Sequence, residues 1–414
     1  MSKKLAFIII DGMADVKIKT LGNKTPLEFA ETSGMDLLAR HGLSSKIYTV
    51  NKGFMPESDV ANLCLLGYDL RNHVGRAAFE AEGMNIKLTK NQVAFRANFV
   101  KLNEKQEIEN IRGYRLSTSL NKKLCKKLSM RIQGIKIKVI PGESYRALVI
   151  FSGKNLSTNV SNTHPFYKKI EGTRYSMAMP STKKGRIKLC KALSPDAILT
   201  AYVVNQFTER ARRILSALKN PTVNGIVLRD ASKQDKNPTP FSKKYGLKML
   251  TITERFLEKG LSKFLGIDII DSLNTQAKTL EKDCKRKLNL FFKNYNKYDG
   301  FYIFLKGPDE PSHDKNPSLK ARMIEIIDEN LIIPLIEKLS KKNLLKNTII
   351  CITTDHTTSS LLGAHTDAPV PVVVFDSKHD DNVKAFNEKA CKKGKLPVNY
   401  GKDLMPYLVK IMKD

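Results

Sequence analysis

The feature that most constrains this chain is a set of short, nearly continuous apolar runs, each ending abruptly in residues that carry chemistry. Leu5–Ile10 stops at Asp11-Gly12, Phe301–Leu305 leads into Lys-Gly-Pro-Asp309-Glu-Pro-Ser-His313, and Thr348–Ile352 runs into Thr-Thr-Asp355-His356. Apolar runs without alternation fit strands buried on both faces, as in a parallel sheet covered by helices. Open sheets of this kind place ligands at the carboxyl ends of their strands. The pattern therefore predicts an α/β fold with a polar site along one sheet edge, a further strand over 370–375 and a closing helix over 403–412.

Seven residues stand out as candidate ligands or nucleophiles: Asp11, Ser58, Asp309, His313, Asp355, His356 and His365. Carboxylates and imidazoles suit Mn2+, Zn2+, Co2+ or Mg2+, and two such ions beside an alcohol make a phosphoryl-transfer site. Each residue also has a plainer reading. A strand-end Asp11 can form a turn. Asp309 and His313 can belong to a polar surface loop, kept from a helix interior by Pro308 and Pro311, so that a rigid loop presents both side chains. Asp355 and His356, being adjacent, can point to opposite sides and serve two ions, and His365 alone reads as structural. Ser58 precedes a helix expected over 60–66 and closed by Gly67. It can be the N-cap, or a nucleophile whose attached phosphate is stabilised by the same free amides; the two readings are compatible. A helix over 318–339, capped by Asn316 or Ser318, is expected to kink at Pro334.

At 414 residues the chain exceeds the size at which one core usually divides. Residues 1–72 and 241–414 read as a discontinuous metal-binding domain. Residues 73–240 read as an inserted substrate-binding domain that mixes strands (92–100, 135–140, 147–151, 225–228) with helices (120–128, 209–218). Its Arg96, Arg112, Arg115, Arg146 and Arg229 suit an anionic substrate better than redox or metal chemistry. Six scattered cysteines, with no CxxC spacing, point to reduced thiols and a cytoplasmic location. The first apolar run is too short for a signal peptide, and none approaches the roughly 20 residues that cross a bilayer, so a soluble protein without a membrane partner is expected. The formal net charge is +30, yet the basic residues form only short clusters such as Lys122–Lys123 and Lys183–Lys184. That describes a solvated lysine surface on which nucleic-acid binding is at most non-specific. No face signals an oligomeric state.

Longer motifs carry a resemblance. Ile-Ile-Asp-Gly-Met (9–13), Lys-Thr-Pro-Leu-Glu (24–28), Glu-Ser-Asp-Val-Ala-Asn (57–62), Leu-Leu-Gly-Tyr-Asp (65–69), Gly-Arg-Ala-Ala-Phe-Glu-Ala (75–81), Phe-Arg-Ala-Asn-Phe (95–99), Pro-Asp-Glu-Pro-Ser-His-Asp (308–314), Thr-Asp-His-Thr-Thr (354–358), Ala-His-Thr-Asp-Ala-Pro-Val-Pro-Val (364–372) and Asp-Leu-Met-Pro (403–406) run from end to end. Together they resemble the archaeal-type 2,3-bisphosphoglycerate-independent phosphoglycerate mutases of the alkaline phosphatase superfamily. The resemblance implies an alkaline-phosphatase-like doubly wound sheet with a second α/β domain inserted into it. It implies one divalent ion on Asp309, His313 and His365, and another on Asp11, Ser58, Asp355 and His356. Ser58 would carry a phosphoryl group while 3-phosphoglycerate and 2-phosphoglycerate interconvert, as in glycolysis and gluconeogenesis, with no need for 2,3-bisphosphoglycerate. The inserted domain would bind glycerate and close over it.

Substrate residues follow the family pattern more loosely. Arg112 and Arg115 stand in a diverged form of an Asp-Arg-Arg-Ala-Gly-Arg stretch, and Lys259 in Glu-Lys-Gly resembles a lysine that neutralises the transferring group. Arg229 is followed by Asp230 where relatives have glycine. His164 lies in Ser-Asn-Thr-His-Pro, where relatives read Ser-Asp-Thr-Asp-Pro-His, and Glu57 replaces a glycine before the serine. Two rivals follow: a metal-dependent phosphatase or phosphomutase of the same superfamily acting on another phosphorylated metabolite, and a basic scaffold that binds nucleic acid.

Overall fold

The apolar runs pair side by side. The computed structural model describes residues 3–179, 185–271 and 279–414; the basic pair Lys183–Lys184 lies outside them. The chain divides into two compact units, one of residues 1–72 and 238–414, the other of residues 73–237.

In chain order the first unit contains β1 (Lys4–Ile10), α1 (Ser33–Arg40), β2 (Leu43–Ile47), α2 (Ser58–Leu65), β3 (Met249–Thr253), α3 (Phe256–Phe264), β4 (Asp268–Asp271), α4 (Leu280–Asn294), β5 (Gly300–Leu305), α5 (Asp309–His313), α6 (Pro317–Ile327), α7 (Ile333–Lys341), β6 (Thr348–Thr353), β7 (Val370–Phe375) and α8 (Gly401–Lys413). The sheet order is β4-β3-β5-β1-β6-β7-β2. β1 lies parallel between β5 and β6, with Ile8 opposite both Ile303 and Ile352, and β7 runs against its two neighbours. Leu5–Ile10 are wholly buried because helices cover both faces. Ala6, Ile8 and Ile10 meet Met35 and Leu38 of α1, Leu288 and Phe291 of α4, and Ile324 and Leu335 of α6 and α7. The other layer holds α2, α3 and α8. Each fully buried Leu, Ile or Phe contributes roughly 1.5–3 kcal/mol, so the strands remain apolar until their ends.

Two helical details depart from expectation, the start of α2 and the course of the helix over 318–339. α2 begins at Ser58 with Glu57 as its N-cap, and it ends in the left-handed Gly67, whose N–H bonds to Cys64 O while Tyr68 N–H reaches Leu63 O. The helix expected over 318–339 is α6, a wider π turn at Asp328–Ile332, then α7. Pro334 has no N–H for the carbonyl four residues back, and the chain enters α7 through the wider turn. Asn316 is the cap of α6, accepting from Leu319 N at 3.0 Å.

The second unit carries an antiparallel sheet in the order Gly225–Ser232, Gln92–Leu102, Arg146–Ser152, Ile135–Pro141, Met130–Ile132. A helix at Thr118–Leu128 and another at Ile198–Ala217 pack on its apolar face. The latter starts well before the expected 209. Its first half is rich in β-branched and aromatic residues, with Ile198 and Tyr202 exposed, which hides the helical period. No helix among the described residues is long and apolar enough to cross a membrane.

Candidate active site

β1, β5 and β6 end along one sheet edge, and their following residues converge there. The His356 Nε2 atom is the hub: it lies 3.3 Å from Ser58 Oγ, 3.3 Å from Asp355 Oδ2 and 3.5 Å from Asp11 Oδ1. Asp309 Oδ1 forms a second focus, 3.3 Å from His313 Nε2 and 3.5 Å from His365 Nε2. The His356 and His365 rings stack at 3.7 Å and join the two. All seven candidates therefore meet.

Local geometry corrects three expectations. Residues 309–313 are not a loop but one helical turn, α5, with Pro308 as its N-cap. Pro311 fits because first-turn N–H groups have no intrahelical partner to lose. Ser58 is not the cap of α2 but its first residue, which leaves Oγ facing His356. Asp355 and His356 do not splay apart; their ligand atoms converge, and His356 is close enough to complete both an Asp11–Asp355–His356 set and an Asp309–His356–His365 set, each with ligand atoms within 4.8 Å of one another.

All three imidazoles are fastened the same way. Nδ1 of His313 bonds to Gly363 O at 2.8 Å and Nδ1 of His365 to Pro56 O at 2.9 Å. A carbonyl only accepts, so each Nδ1 carries a proton. For His356 the partner is Thr358 Oγ1 at 2.9 Å, and that hydroxyl donates to Asp309 Oδ1 at 3.0 Å, so Nδ1–H is again the donor. Every Nε2 faces inward. Outer hydrogen bonds that fix the tautomer in this way are what metal-binding histidines require. Asp11 Oδ1 and Asp355 Oδ2, both buried, accept no hydrogen bond among the described residues. Orphaned carboxylate oxygens among inward imidazole nitrogens fit divalent ions.

The electrostatics of the cluster agree. Burial raises the Asp11 carboxyl above its ordinary range, and repulsion from Asp309 adds to it against Lys306, His365 and Arg255. Burial and then Asp11 push Asp355 well up. Burial opposes ionisation of Asp309 too, but His313 and His365 hold it well below the usual value. Burial keeps His356 neutral. His365 rises to about 9, because Glu57 and Asp309 outweigh its burial. Excess carboxylate charge is thus matched by imidazole and by Lys306, whose Nζ stands 3.6 Å from Asp11 Oδ2. Lys306, Arg255 and Thr358 were not among the candidates from sequence. Lys306 follows β5 directly, a position that marks it, whereas Thr358 acts through contacts no spacing reveals. Lys259, also at this sheet edge, is buried in the first turns of α3 with its Nζ 5.5 Å from the Phe256 ring.

The second unit holds its own charged cluster. Arg76 and Arg96 each place Nε 3.2 Å from Glu80 Oε1, and Arg146 and Arg229 also act on that carboxylate. Arg229, opposite Arg96 in the sheet register, stacks 3.7 Å over the Tyr167 ring and pairs with Asp230 at 2.5 Å. Burial and the neighbouring arginines lower Arg96 to about 10. His164 is buried and neutral: burial, then Arg229 and Arg96, hold it well below its ordinary value. Its Nδ1 accepts from Phe166 N at 3.3 Å, so Nε2 carries the proton, and that atom has no hydrogen-bond partner among the described residues. Four arginines thus gather around Glu80, with Asp230 against Arg229 and Glu143 3.7 Å from Arg146. Arg112 is half-buried and Arg115 exposed, both on the turn after Ile108–Asn110, where Gly113 packs close to Phe99 O. Arg76 was not singled out, although Gly-Arg-Ala-Ala-Phe-Glu-Ala contains both it and Glu80.

Fold and site together define an α/β protein with a buried serine–imidazole–carboxylate centre at the carboxyl edge of a doubly wound sheet. The chain belongs to the 2,3-bisphosphoglycerate-independent phosphoglycerate mutase family. The family's model matches residues 39–220. The enzyme of that name from Aeropyrum pernix is 31% identical over 95% of both chains, and the one from Methanococcus vannielii is 32% identical over 99% of this chain and 98% of its own. Among solved structures, a Pyrococcus horikoshii protein covers 100% of this chain and 98% of its own with TM-score 0.75 at 23% identity. The cofactor-independent phosphoglycerate mutase from Thermoplasma acidophilum covers 99% of this chain and 100% of its own with TM-score 0.59 at 25% identity.

Proposed function

We propose that this protein interconverts 3-phosphoglycerate and 2-phosphoglycerate through a phosphoserine at Ser58, without 2,3-bisphosphoglycerate. The observation that carries the reading is the convergence of Ser58 Oγ with the inward Nε2 of His356 and the orphaned oxygens of Asp11 and Asp355. Asp309, His313 and His365 would hold one divalent ion, and Asp11, Ser58, Asp355 and His356 the other, Mn2+ being a cation that suits mixed oxygen and nitrogen donors. Such ions lower the pKa of a bound hydroxyl and offset charge on a transferring phosphoryl group.

The chain's own residues supply the rest. Ser58, as the first residue of α2, offers its phosphorylated oxygen to the free amides of the helix start. Oγ forms the new bond to phosphorus as the glycerate oxygen leaves, and the proton lost at Oγ is balanced by one gained at that oxygen. Reversal onto the neighbouring hydroxyl completes the isomerisation. Lys306 and Lys259 add positive charge where phosphoryl charge develops. The Arg76, Arg96, Arg146 and Arg229 cluster, with His164, supplies donors suited to the carboxylate of glycerate, and Arg112 and Arg115 add donors to the same unit. The buried centre limits hydrolysis of the phosphoserine.

The test follows the phosphoryl group. Metal-loaded protein quenched with 3-phosphoglycerate should yield a phosphorylated peptide mapping to Ser58, with 2-phosphoglycerate formed faster than phosphate is released. Phosphate as the main product would instead indicate a phosphatase of the same superfamily.

A further inference from the structure

Under the centre, Lys320 of α6 is wholly buried, and its ammonium makes three hydrogen bonds of 2.9 Å: to Ala14 O, to Thr358 O and to Asp15 Oδ2. An ammonium has three N–H donors, and all three are used. Asp15, also buried, accepts in addition from Ser360 N at 3.1 Å and Ser360 Oγ at 2.6 Å, while its own N–H goes to Glu388 at 3.0 Å. Ala14 O takes a second bond from Thr358 N at 3.0 Å. The two segments so joined continue directly into the ligand residues, Asp11 on one side and Asp355-His356 on the other. Gly12 N to Asp355 Oδ1 at 3.1 Å and Met13 N to Thr354 Oγ1 at 3.0 Å repeat the tie. The Thr358 hydroxyl then orients His356 and Asp309.

A buried ion pair stabilises a fold poorly against an apolar pair of the same volume. Its place beneath two ligand-bearing loops assigns it another task. We propose, resting on the reading of the centre as a metal site, that Lys320 is a positioning residue whose ammonium holds the loops of Asp11 and Asp355-His356 in ligand geometry before an ion binds.

The test is calorimetric titration of Mn2+ into chelated wild type, Lys320→Met and the double variant Lys320→Met/Asp15→Asn, with circular dichroism as the check on folding. The double variant removes both charges of the Lys320–Asp15 pair together and is expected to fold. Its Mn2+ affinity should fall by about 10–100-fold, the usual effect of losing an outer positioning contact. An affinity within twofold of wild type in a folded variant overturns the proposal. Hydrogen exchange on chelated wild type gives an answer that needs no variant. Residues 11–16 and 356–360 should exchange as slowly without Mn2+ as with it, and fast exchange slowed only by the ion also overturns it. Failure of the wild type to bind Mn2+ strikes the metal reading instead, leaving the exchange rates to decide the role of Lys320.

Discussion

Gly12 and Thr358 show how closely the centre is built. Gly12 has φ +59°, and a Cβ there would lie 2.7 Å from Thr358 Oγ1 and 2.8 Å from Asp309 Cβ. Gly12→Ala should therefore displace Asp309 and lower kcat/KM by about 100-fold, read in an enolase-coupled assay. Thr358→Val removes both the acceptor for His356 Nδ1–H and the donor to Asp309. Its Mn2+ affinity should drop by about 10–100-fold, with Thr358→Ser staying near wild type; equal affinities for the valine and serine variants would refute the hydrogen-bond argument. In the second unit, Arg96→Met should raise KM for 3-phosphoglycerate by roughly tenfold, the value of one charge-assisted pair, without changing Mn2+ affinity. Four of the seven candidates were legible because they sit just past apolar runs, and the others, Ser58 at a helix start among them, through the motifs around them. Asp15, Lys320 and Thr358 were not, since their meaning lies in contacts between residues up to 345 positions apart.

At the scale of elements, the π turn before α7 has a visible consequence. It carries Asp328 to the start of α1, where its carboxylate accepts from Gly34 N at 2.9 Å and Met35 N at 2.8 Å. Thr32, the N-cap of α1, makes no side-chain cap bond. Burial nonetheless raises Asp328 to about 6. A carboxyl whose folded pKa exceeds its unfolded value of about 3.9 keeps its proton longer in the native state. Its contribution is then full below about pH 4 and is lost as pH rises to about 6, by about 3 kcal/mol. The stability difference between wild type and Asp328→Asn, taken from urea unfolding, should shift by that amount against wild type between pH 4 and 7. A difference independent of pH would contradict the burial argument. The pattern of apolar residues disclosed β1, β5, β6 and β7, yet it did not disclose the π turn, α5 or the first half of Ile198–Ala217. A proline in a sequence tells that a helix is disturbed, and it does not tell whether the chain answers by a kink, a wider turn or a first-turn position.

At the scale of the molecule, two cores stand in one chain: a mostly parallel sheet between helices, and an antiparallel sheet with helices on its apolar face. Calorimetry of the chelated protein should resolve two transitions, and added Mn2+ should raise only one, since an ion stabilises the unit that binds it. A single transition, or a shift of both, would show that the units unfold together. The central claim is isomerisation by Ser58, and side-by-side assay of metal-loaded wild type and Ser58→Ala tests it most directly. With 3-phosphoglycerate and no 2,3-bisphosphoglycerate, wild type should form 2-phosphoglycerate, and the folded Ser58→Ala protein should form none. Turnover retained by Ser58→Ala would contradict it.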